Sequence, residues 1–380
     1  MHHLFLKTDL KCRTVAFNRY ILDTVTVIPI ANPQMGSEER AAVDRVLRSG
    51  IIAQGPEVAS FEEEFASMCG VKHAVATSNG TTAGHLALLS NKIGPGDEVI
   101  TTPFTFFATA SVIIMTGAKP VFADVEENGF CLDPVKAEEE ITDNTKAIQP
   151  VHLYGELADM PSFQNVCDKH NLVLIEDSAQ AHSSKSWGQS AGSFGKAGWF
   201  SFYPTKNMTT SEGGMITTND SKVAEHCRNM RAHGMTAQYQ HTEFGYNYRM
   251  TDISAAIGRV QLSKLQNFNS RRQEIAERYN SAFSNYVSIP ENRRGHVFHQ
   301  YTIRSDRRDE LRKYLSDNEI GTGIYYPTLL YGYDPMKHLK TKCPNAEKLI
   351  AEVLSLPVHP ALTDQEVSKV IKTVTSFFEQ

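Results

Sequence analysis

Short apolar runs alternate with longer amphipathic segments through most of the chain from about residue 37 onward. The runs are rich in β-branched and aromatic residues, which is typical of buried strands. Seven of them are apparent, at 73–78, 97–102, 119–124, 146–151, 172–177, 198–202 and 214–218. Helical segments separate most of these runs, which predicts an α/β fold with a mostly parallel sheet covered on both faces. The last two runs are joined without a helix, so we expect one of them to pair antiparallel or to lie at an edge.

A second pattern follows the predicted sheet. A long helical stretch at 251–283 leads to the strand-like run "HVFHQYTIRS", a polar helix near 307–318 and a closing helix. Few strands and separate helices in this part of the chain predict a smaller α+β domain. At the other end, the first residues are basic but lack the apolar segment and the cleavage site of a signal peptide.

Composition excludes several classes of protein. With 380 residues, 41% of them hydrophobic, the chain can bury a sizeable core in two or three domains. The net charge of -5 and the lack of Lys/Arg blocks argue against nucleic-acid binding. No apolar run approaches the roughly 20 residues of a membrane-spanning helix. The six cysteines are scattered without zinc-site spacing, so we expect no metal and a reducing, cytoplasmic location.

Polar and small residues follow the predicted strands at their carboxyl ends, where α/β sheets bind ligands. The stretch 79–82, Asn-Gly-Thr-Thr, follows the first strand and leads into a helix, which is typical of a phosphate site. Asp177 ends the fifth strand, where a buried acid requires a cationic partner. Ser201 lies near the end of the sixth strand, five residues before Lys206.

An aromatic cluster, "PFTFF" at 103–107, follows the second strand. Core packing accounts for Phe104 and Phe107, but one ring of the cluster could stack on a flat ligand. Lys206 lies in a polar loop, where most lysines are simply solvated. Phosphate site, stacking ring, buried acid, hydroxyl and single amine together nevertheless suit pyridoxal 5'-phosphate (PLP). Lys206 would form a Schiff base with the cofactor, and Asp177 would keep its pyridine nitrogen protonated.

These motifs resemble the DegT/DnrJ/EryC1/StrS family of PLP-dependent aminotransferases, most of which act on nucleotide-linked keto-sugars. The resemblance runs from about Ile28 to the C-terminus and includes "SNGTTAGHLAL", "IEDSAQAH", "WFSFYPTKNMTTSEGGMITT" and "GYNYRMTDISAAIGRVQL". It implies the aspartate-aminotransferase-type fold (fold type I), with a mixed, mostly parallel seven-stranded sheet in the large domain. We therefore divide the chain into a loose N-terminal extension (1–27), a large PLP-binding domain (28–262) and a small C-terminal α+β domain (263–380).

The resemblance also implies a role for single residues. Lys206 would hold the cofactor and move protons, and Asp177 would pair with the pyridine nitrogen. Phe106 would stack on one face of the ring, and Gln180 would lie near the other face and the phenolic oxygen. The implied cofactor-binding set is Gly80, Thr81, Phe106, Asp177, Gln180, Ser201, Lys206 and Asn247. Asn247 would reach the phosphate from the neighbouring subunit, which implies a homodimer with shared active sites.

The implied reaction is a ping-pong transamination from an amino acid, expected to be L-glutamate, to the ketone of a sugar. Two alternatives stay open at this point. One is a PLP enzyme of the same fold with another substrate or route, such as a keto-cyclitol aminotransferase or a sugar dehydratase. The other is a non-catalytic regulator. Family members that dehydrate sugars carry histidine in place of the lysine, so Lys206 favours transamination.

The sequence departs from the family where the sugar would bind. The stretch "YYPTLLYGYDPM" (325–336) has Tyr331 and Tyr333, or residues near them, in place of the His and Gln of a "YYPxPLHxQ"-like pattern. The identity of the sugar is therefore not transferred. We interpret the histidines in familiar blocks, His152, His182, His233 and His299, as structural, and Glu212 with its two following glycines as loop geometry near Lys206.

Overall fold

The computed structural model describes residues 27–291 and 293–380, so the predicted extension 1–27 lies outside the described residues except for Val27. The α-helices of this part of the chain are α1 (Ser37–Ser49), α2 (Pro56–Cys69), α3 (Gly80–Ser90), α4 (Ala108–Met115), α5 (Pro134–Glu139), α6 (Met160–His170), α7 (Ser221–Arg231), α8 (Asp252–Phe283), α9 (Arg308–Asp317), α10 (Pro344–Glu352) and α11 (Asp364–Phe378). The short 3-10 helices are Leu153–Gly155, Leu330–Gly332 and Asp334–Leu339.

The strands are β1 (His73–Thr77), β2 (Glu98–Thr101), β3 (Lys119–Phe122), β4 (Thr145–Ile148), β5 (Val173–Asp177), β6 (Lys185–Ser186), β7 (Gln189–Ser190), β8 (Ala197–Ser201), β9 (Gly214–Thr218), β10 (Met235–Ala237), β11 (Gln240–His241), β12 (Tyr301–Arg304) and β13 (Val353–Leu356). The seven predicted runs correspond to β1–β5, β8 and β9.

These seven strands form one sheet in the order β1-β9-β8-β5-β4-β2-β3. The pairs among β8, β5, β4, β2 and β3 are parallel, whereas β9 pairs antiparallel with both β8 and β1. The predicted antiparallel pairing is confirmed, and β9 lies inside the sheet because β1 covers its outer side. The α/β class and the mixed, mostly parallel sheet are confirmed as well.

Apolar side chains fill both faces of the sheet, as the nearly continuous apolar runs predict. On one face Phe65 of α2 packs edge-on against Phe200 and Phe202, and Phe61 packs at a tilt against Phe202. On the other face α3, α4 and α7 cover a cluster that includes Trp199. Burial on both faces fixes the register of the strands, and therefore the positions of the residues that follow them.

A second core holds the C-terminal part of the chain together. The antiparallel pair β12–β13 packs with α9, α11 and the end of α8, and Ile28 joins this cluster. Helix α8 is 32 residues long and its first half packs against α1 and α2, so one helix passes through the position 262/263 where we divide the domains. The domain division itself stays a prediction.

None of the helices in the described ranges is long and apolar enough to cross a membrane. Within the same ranges, His, Cys, Asp and Glu side chains do not gather in groups of three or more that could hold a metal ion.

Candidate active site

A cavity of about 610 Å³ opens at the carboxyl ends of β1, β5 and β8 and is closed on one side by the C-terminal part of the chain. Seven of the eight predicted cofactor-binding residues line it: Gly80, Thr81, Phe106, Asp177, Gln180, Ser201 and Lys206. A larger surface groove of about 1090 Å³ lies at the opposite, amino ends of the strands and contains none of them. The cavity at the carboxyl ends is therefore the candidate active site.

Asn247 is the exception among the predicted residues. It is exposed, pairs with Ala232 in an antiparallel bridge, and does not line the cavity of its own chain.

The first turn of α3 offers hydrogen-bond donors to the cavity. The side chain of Asn79 caps the helix by accepting from the N–H of Thr82 (2.9 Å). The N–H groups of Gly80 and Thr81, the first two of the helix, have no acceptor within the described residues. The hydroxyl of Ser201 lies against the same turn, since a Cβ added to Gly80 would lie 2.6 Å from the Cβ of Ser201. Only glycine lets the helix come this close, and the donors of this turn suit an anion.

Asp177 is buried beneath the cavity, with 3% of its surface exposed. Its Oδ2 accepts a hydrogen bond from the hydroxyl of Thr109 (2.7 Å), and its Oδ1 accepts from the N–H of Ala179 (3.2 Å). Burial raises the pKa of Asp177 to about 6, although both hydrogen bonds and the positive charge of Lys206 oppose the rise. No cationic side chain of the described residues forms an ion pair with this carboxylate, and a protonated pyridine nitrogen would provide such a partner.

Burial also lowers the pKa of Lys206, to about 8, and the charge of Asp177 opposes this shift. An amine with a pKa near neutrality can both accept and release a proton at working pH, which is what a catalytic acid and base requires. Lys206, which the sequence places in a polar loop, is thus an amine with a lowered pKa in a cavity.

The raised pKa of Asp177 makes a prediction about stability. Since the folded apoprotein holds the proton more tightly than the unfolded chain does, its stability falls as pH rises from about 4 to about 6. A shift of this size corresponds to about 3 kcal/mol. We expect Asp177→Asn to raise the free energy of unfolding of the apoprotein by about 1–3 kcal/mol at pH 7.5, because the neutral amide removes the cost of a buried carboxylate; the lost attraction to Lys206 offsets part of this gain. Urea unfolding at pH 4 and pH 7.5 measures this; the gain should shrink at pH 4, and a gain independent of pH would contradict the account.

Thr109 is a site residue that the sequence reasoning missed. Thr109 lies in the first turn of α4; its hydroxyl donates to Asp177 and lies 3.0 Å from the hydroxyl of Thr105, four residues earlier and before the helix. The carboxylate has no hydrogen, so Thr109 must donate to it, and Thr105 is left as the donor to Thr109. Two threonines at helical spacing directly after the second strand are the signal that could have identified this chain of hydroxyl groups.

We expect Thr109→Val to weaken PLP binding about tenfold or more, because the buried carboxylate loses a charge-assisted hydrogen bond. Thr109→Ser keeps the hydroxyl and serves as the matched control. Titration of the apoproteins with PLP, followed by absorbance, measures both dissociation constants. Equal affinities of the valine and serine variants would show that the hydroxyl does not support the cofactor partner.

Aromatic side chains form the walls of the cavity. Phe106 is 57% exposed, and its ring centroid lies 5.9 Å from that of Tyr326. Gln180 is held in place in the cavity wall, because its Oε1 accepts from the N–H of Tyr154 (2.8 Å) and its Nε2 donates to the hydroxyl of Tyr326 (3.1 Å). A flat ligand would therefore meet an open ring and a fixed amide. Tyr326, which the sequence reasoning did not single out, completes this wall.

Tyr331 and Tyr333, which depart from the family pattern in the stretch 325–336, do not line the cavity. The buried ring of Tyr331 packs against Phe122, and its hydroxyl donates to Glu347 (3.2 Å). Tyr333 packs edge-on against Phe107.

Three of the four histidines interpreted as structural lie outside the cavity walls. His152 is buried, with Nδ1 accepting from the N–H of Ala158 (3.1 Å) and Nε2 facing Glu176 (3.0 Å). His182 packs against two phenylalanines of the core, and His233 is exposed. The fourth, His299, does line the cavity, as does Glu212.

Comparison with known proteins agrees with this geometry. The sequence pattern of the DegT/DnrJ/EryC1/StrS aminotransferase family matches residues 33–375. The chain is 41% identical to the pleiotropic regulatory protein of Geobacillus stearothermophilus, covering 91% of this chain and 95% of the relative. It is 39% identical to UDP-N-acetyl-3-dehydro-α-D-glucosamine 3-aminotransferase of Acidithiobacillus ferrooxidans, covering 87% and 91%. It is 37% identical to dTDP-3-amino-3,4,6-trideoxy-α-D-glucose transaminase of Streptomyces venezuelae, covering 92% and 94%.

Solved structures show the same architecture. The chain superposes on DesV of S. venezuelae with a TM-score of 0.88 at 37% identity, covering 90% of this chain and 95% of that one. It superposes with the same TM-score on NtdA of Bacillus subtilis, a structure with bound pyridoxamine phosphate (PMP), at 29% identity and coverages of 94% and 86%.

Proposed function

Because this chain belongs to the DegT/DnrJ/EryC1/StrS family of PLP-dependent aminotransferases, we propose that it transfers an amino group from L-glutamate to a keto-sugar carried on a nucleotide. The observation that carries this proposal is the position of Lys206 and the buried Asp177 in the wall of one cavity, where the pKa of the amine is lowered and the pKa of the acid is raised.

The cavity fits the cofactor group by group. The free N–H groups at the start of α3, with the hydroxyls of Thr81 and Ser201, suit the phosphate. The Asp177 carboxylate suits a protonated pyridine nitrogen, and the exposed ring of Phe106 with the amide of Gln180 suits the faces of a flat ring. Bound PLP supplies the means of withdrawing electrons from the carbon that exchanges its amino group.

Lys206 has two tasks in this proposal. It holds the cofactor covalently between turnovers, and it moves a proton to and from the carbon atoms that exchange hydrogen during transfer. Asp177, oriented by Thr109, keeps the pyridine nitrogen charged. Because donor and acceptor use the same cavity in turn, the keto acid formed from the donor must leave before the sugar enters, which makes the reaction ping-pong.

The acceptor class rests on the relatives named for amino-sugar chemistry. The test loads the purified protein with PMP and adds UDP-N-acetyl-3-dehydro-α-D-glucosamine; separately, the PLP form receives dTDP-3-amino-3,4,6-trideoxy-α-D-glucose, which probes the reverse direction. Interconversion of the two cofactor forms, seen by absorbance, supports the proposal. No reaction with either sugar nucleotide, in a protein that reacts with L-glutamate, would overturn the acceptor class and leave the donor half standing.

We further propose that the protein works as a homodimer with shared active sites. Asn247 is exposed and lies outside its own cavity, and the segment that carries it begins with the exposed rings of Tyr239 (83%) and Phe244 (101%). Burying such rings against a second copy of the chain would remove a large apolar area from water. In that arrangement Asn247 would reach the phosphate of the neighbouring cavity.

Mixing two variants tests the shared site. We expect Lys206→Ala and Asn247→Asp each to be inactive, the second because its carboxylate would repel the phosphate. After exchange of subunits, each heterodimer keeps one intact site, so about a quarter of wild-type activity should return. If both variants remain inactive after subunit exchange, verified by differently tagged chains, the site is not shared in this way.

Reduced cysteines support a cytoplasmic location. Five cysteines in the described residues (Cys69, Cys131, Cys167, Cys227 and Cys343) are free and buried. Buried thiols without a bridging partner suit a reducing compartment.

A further inference from the structure

His299 differs from the other buried histidines because its ring borders the cavity. It is 5% exposed, and its Nδ1 lies 3.3 Å from Oδ1 of Asn207, the residue after Lys206. Its Nε2 has no hydrogen-bonding partner within the described residues. Both ring nitrogens of His182 are fully buried, whereas Nε2 of His299 is not. This nitrogen therefore opens onto the cavity.

A chain of amides fixes which ring nitrogen carries the hydrogen. Nδ2 of Asn269 donates to the carbonyl of His182 (3.0 Å), so its Oδ1 is free to accept from Nδ2 of Asn207 (2.8 Å). Nδ2 of Asn207 also donates to the carbonyl of Val297 (3.1 Å). Both acceptors confirm the orientation of Asn207, whose Oδ1 can then only accept. His299 must supply the hydrogen from Nδ1, and its Nε2 is left as a bare acceptor.

Burial and nearby positive charges keep the ring of His299 neutral. Burial lowers the pKa of His299 well below its usual value, and the charges of Lys206 and Arg272 lower it further. The guanidinium of Arg272 donates to the carbonyls of Phe298 and His299 (3.1 and 3.3 Å) and lies near the ring. A ring that resists protonation is a poor base but a steady hydrogen-bond acceptor. His299 is thus suited to binding rather than to proton transfer.

We propose that His299 determines specificity for the acceptor: its Nε2 accepts a hydrogen bond from a sugar hydroxyl next to the reacting carbon. This inference rests on the proposed function. A sugar carries hydroxyl donors beside its ketone, whereas L-glutamate carries a carboxylate at the corresponding position. The lone pairs of a carboxylate and of Nε2 repel each other, so the same nitrogen that binds the sugar offers nothing to the carboxylate of the donor.

The test separates the two half-reactions in single turnovers of the holoenzyme. The donor half uses L-glutamate, and the sugar half uses whichever of the two sugar nucleotides above reacts with the wild-type protein. We expect His299→Phe to lower the second-order rate constant of the sugar half-reaction about tenfold or more. The fold loss in the donor half-reaction should be at least tenfold smaller. His299→Gln, whose amide oxygen can accept, should recover most of the sugar reaction.

Three results would overturn the proposal. Equal losses in both halves would make His299 a general support of the site, and a loss in the donor half alone would assign Nε2 to the amine of the amino acid. Unchanged sugar kinetics in a folded phenylalanine variant would remove the contact altogether. If the wild-type protein reacts with neither sugar nucleotide, the proposed acceptor class fails and this inference falls with it.

A spectroscopic measurement on the wild-type protein covers the case in which the phenylalanine variant does not fold. Nitrogen-15 NMR of histidine-labelled protein should show that the ring of His299 is neutral and carries its hydrogen on Nδ1. That hydrogen is the one donated to Asn207. The ring should stay neutral between pH 5.5 and pH 8.5, as its surroundings dictate. A hydrogen on Nε2, or protonation of the ring within that range, would show that Nε2 does not present a free lone pair to the cavity.

Discussion

Replacing Lys206 with alanine is expected to lower turnover by at least about 10³-fold, because one residue supplies both the covalent anchor and the proton transfer. The fold should persist. The amine has no close partner in the described part of the chain, and its pKa is lowered by burial, so its removal relieves a cost instead of creating one.

Steady-state transamination and circular dichroism of the purified variant measure the two effects. Lys72→Ala, which changes an exposed lysine far from the cavity, is the matched control and should retain wild-type rates. Multiple turnovers of the Lys206→Ala variant at a measurable rate, with the fold intact, would exclude Lys206 from both tasks.

Replacing Asp177 with asparagine is expected to lower the transamination rate by at least about 10²-fold. The neutral amide has nearly the same shape and can still accept from Thr109, but it cannot keep the pyridine nitrogen protonated, so the ring withdraws electrons poorly. The same substitution should stabilise the apoprotein, as argued above. Loss of activity together with gain of stability is the combination expected of a residue whose buried charge destabilises the fold but is required for function.

Single-turnover rates with L-glutamate, measured at saturating PLP, separate this effect from weaker cofactor binding. Asp177→Glu, which keeps the charge but displaces it, should lose less activity than Asp177→Asn if charge is the decisive property. The reverse order would show that shape, and not charge, governs the contribution of this position.

The sheet could be predicted from the sequence because a local pattern of residues marks each strand. Runs such as 172–177 are apolar, short and bounded by turn residues, and each forms a strand. The position of β9 inside the sheet could not be predicted, since it depends on β1 pairing across 136 residues of intervening chain. Local patterns determine which segments are strands, whereas tertiary packing determines their neighbours.

The site divides in the same way. Residues at or shortly after the end of a strand, such as Asp177 and Gly80, were found because strand ends meet at one edge of a sheet. Thr109 and Tyr326 were missed, because their places depend on hydrogen bonds made across the fold. His299 was interpreted as a packed core residue; its burial agrees with that interpretation, but the nitrogen that opens onto the cavity could be identified only from the amide chain through Asn207. Sugar identity could not be read from Tyr331 and Tyr333, which lie outside the cavity.

The central claim is that Lys206 binds PLP and releases it when an amino donor converts it into PMP. The most direct measurement is the absorbance spectrum of the purified protein with PLP, before and after addition of L-glutamate. We predict a visible band from the cofactor bound to Lys206, which L-glutamate converts into the near-ultraviolet band of PMP. Absence of the visible band would contradict the claim, because Lys206 would then not hold the cofactor; a band that L-glutamate leaves unchanged would contradict the proposed amino donor.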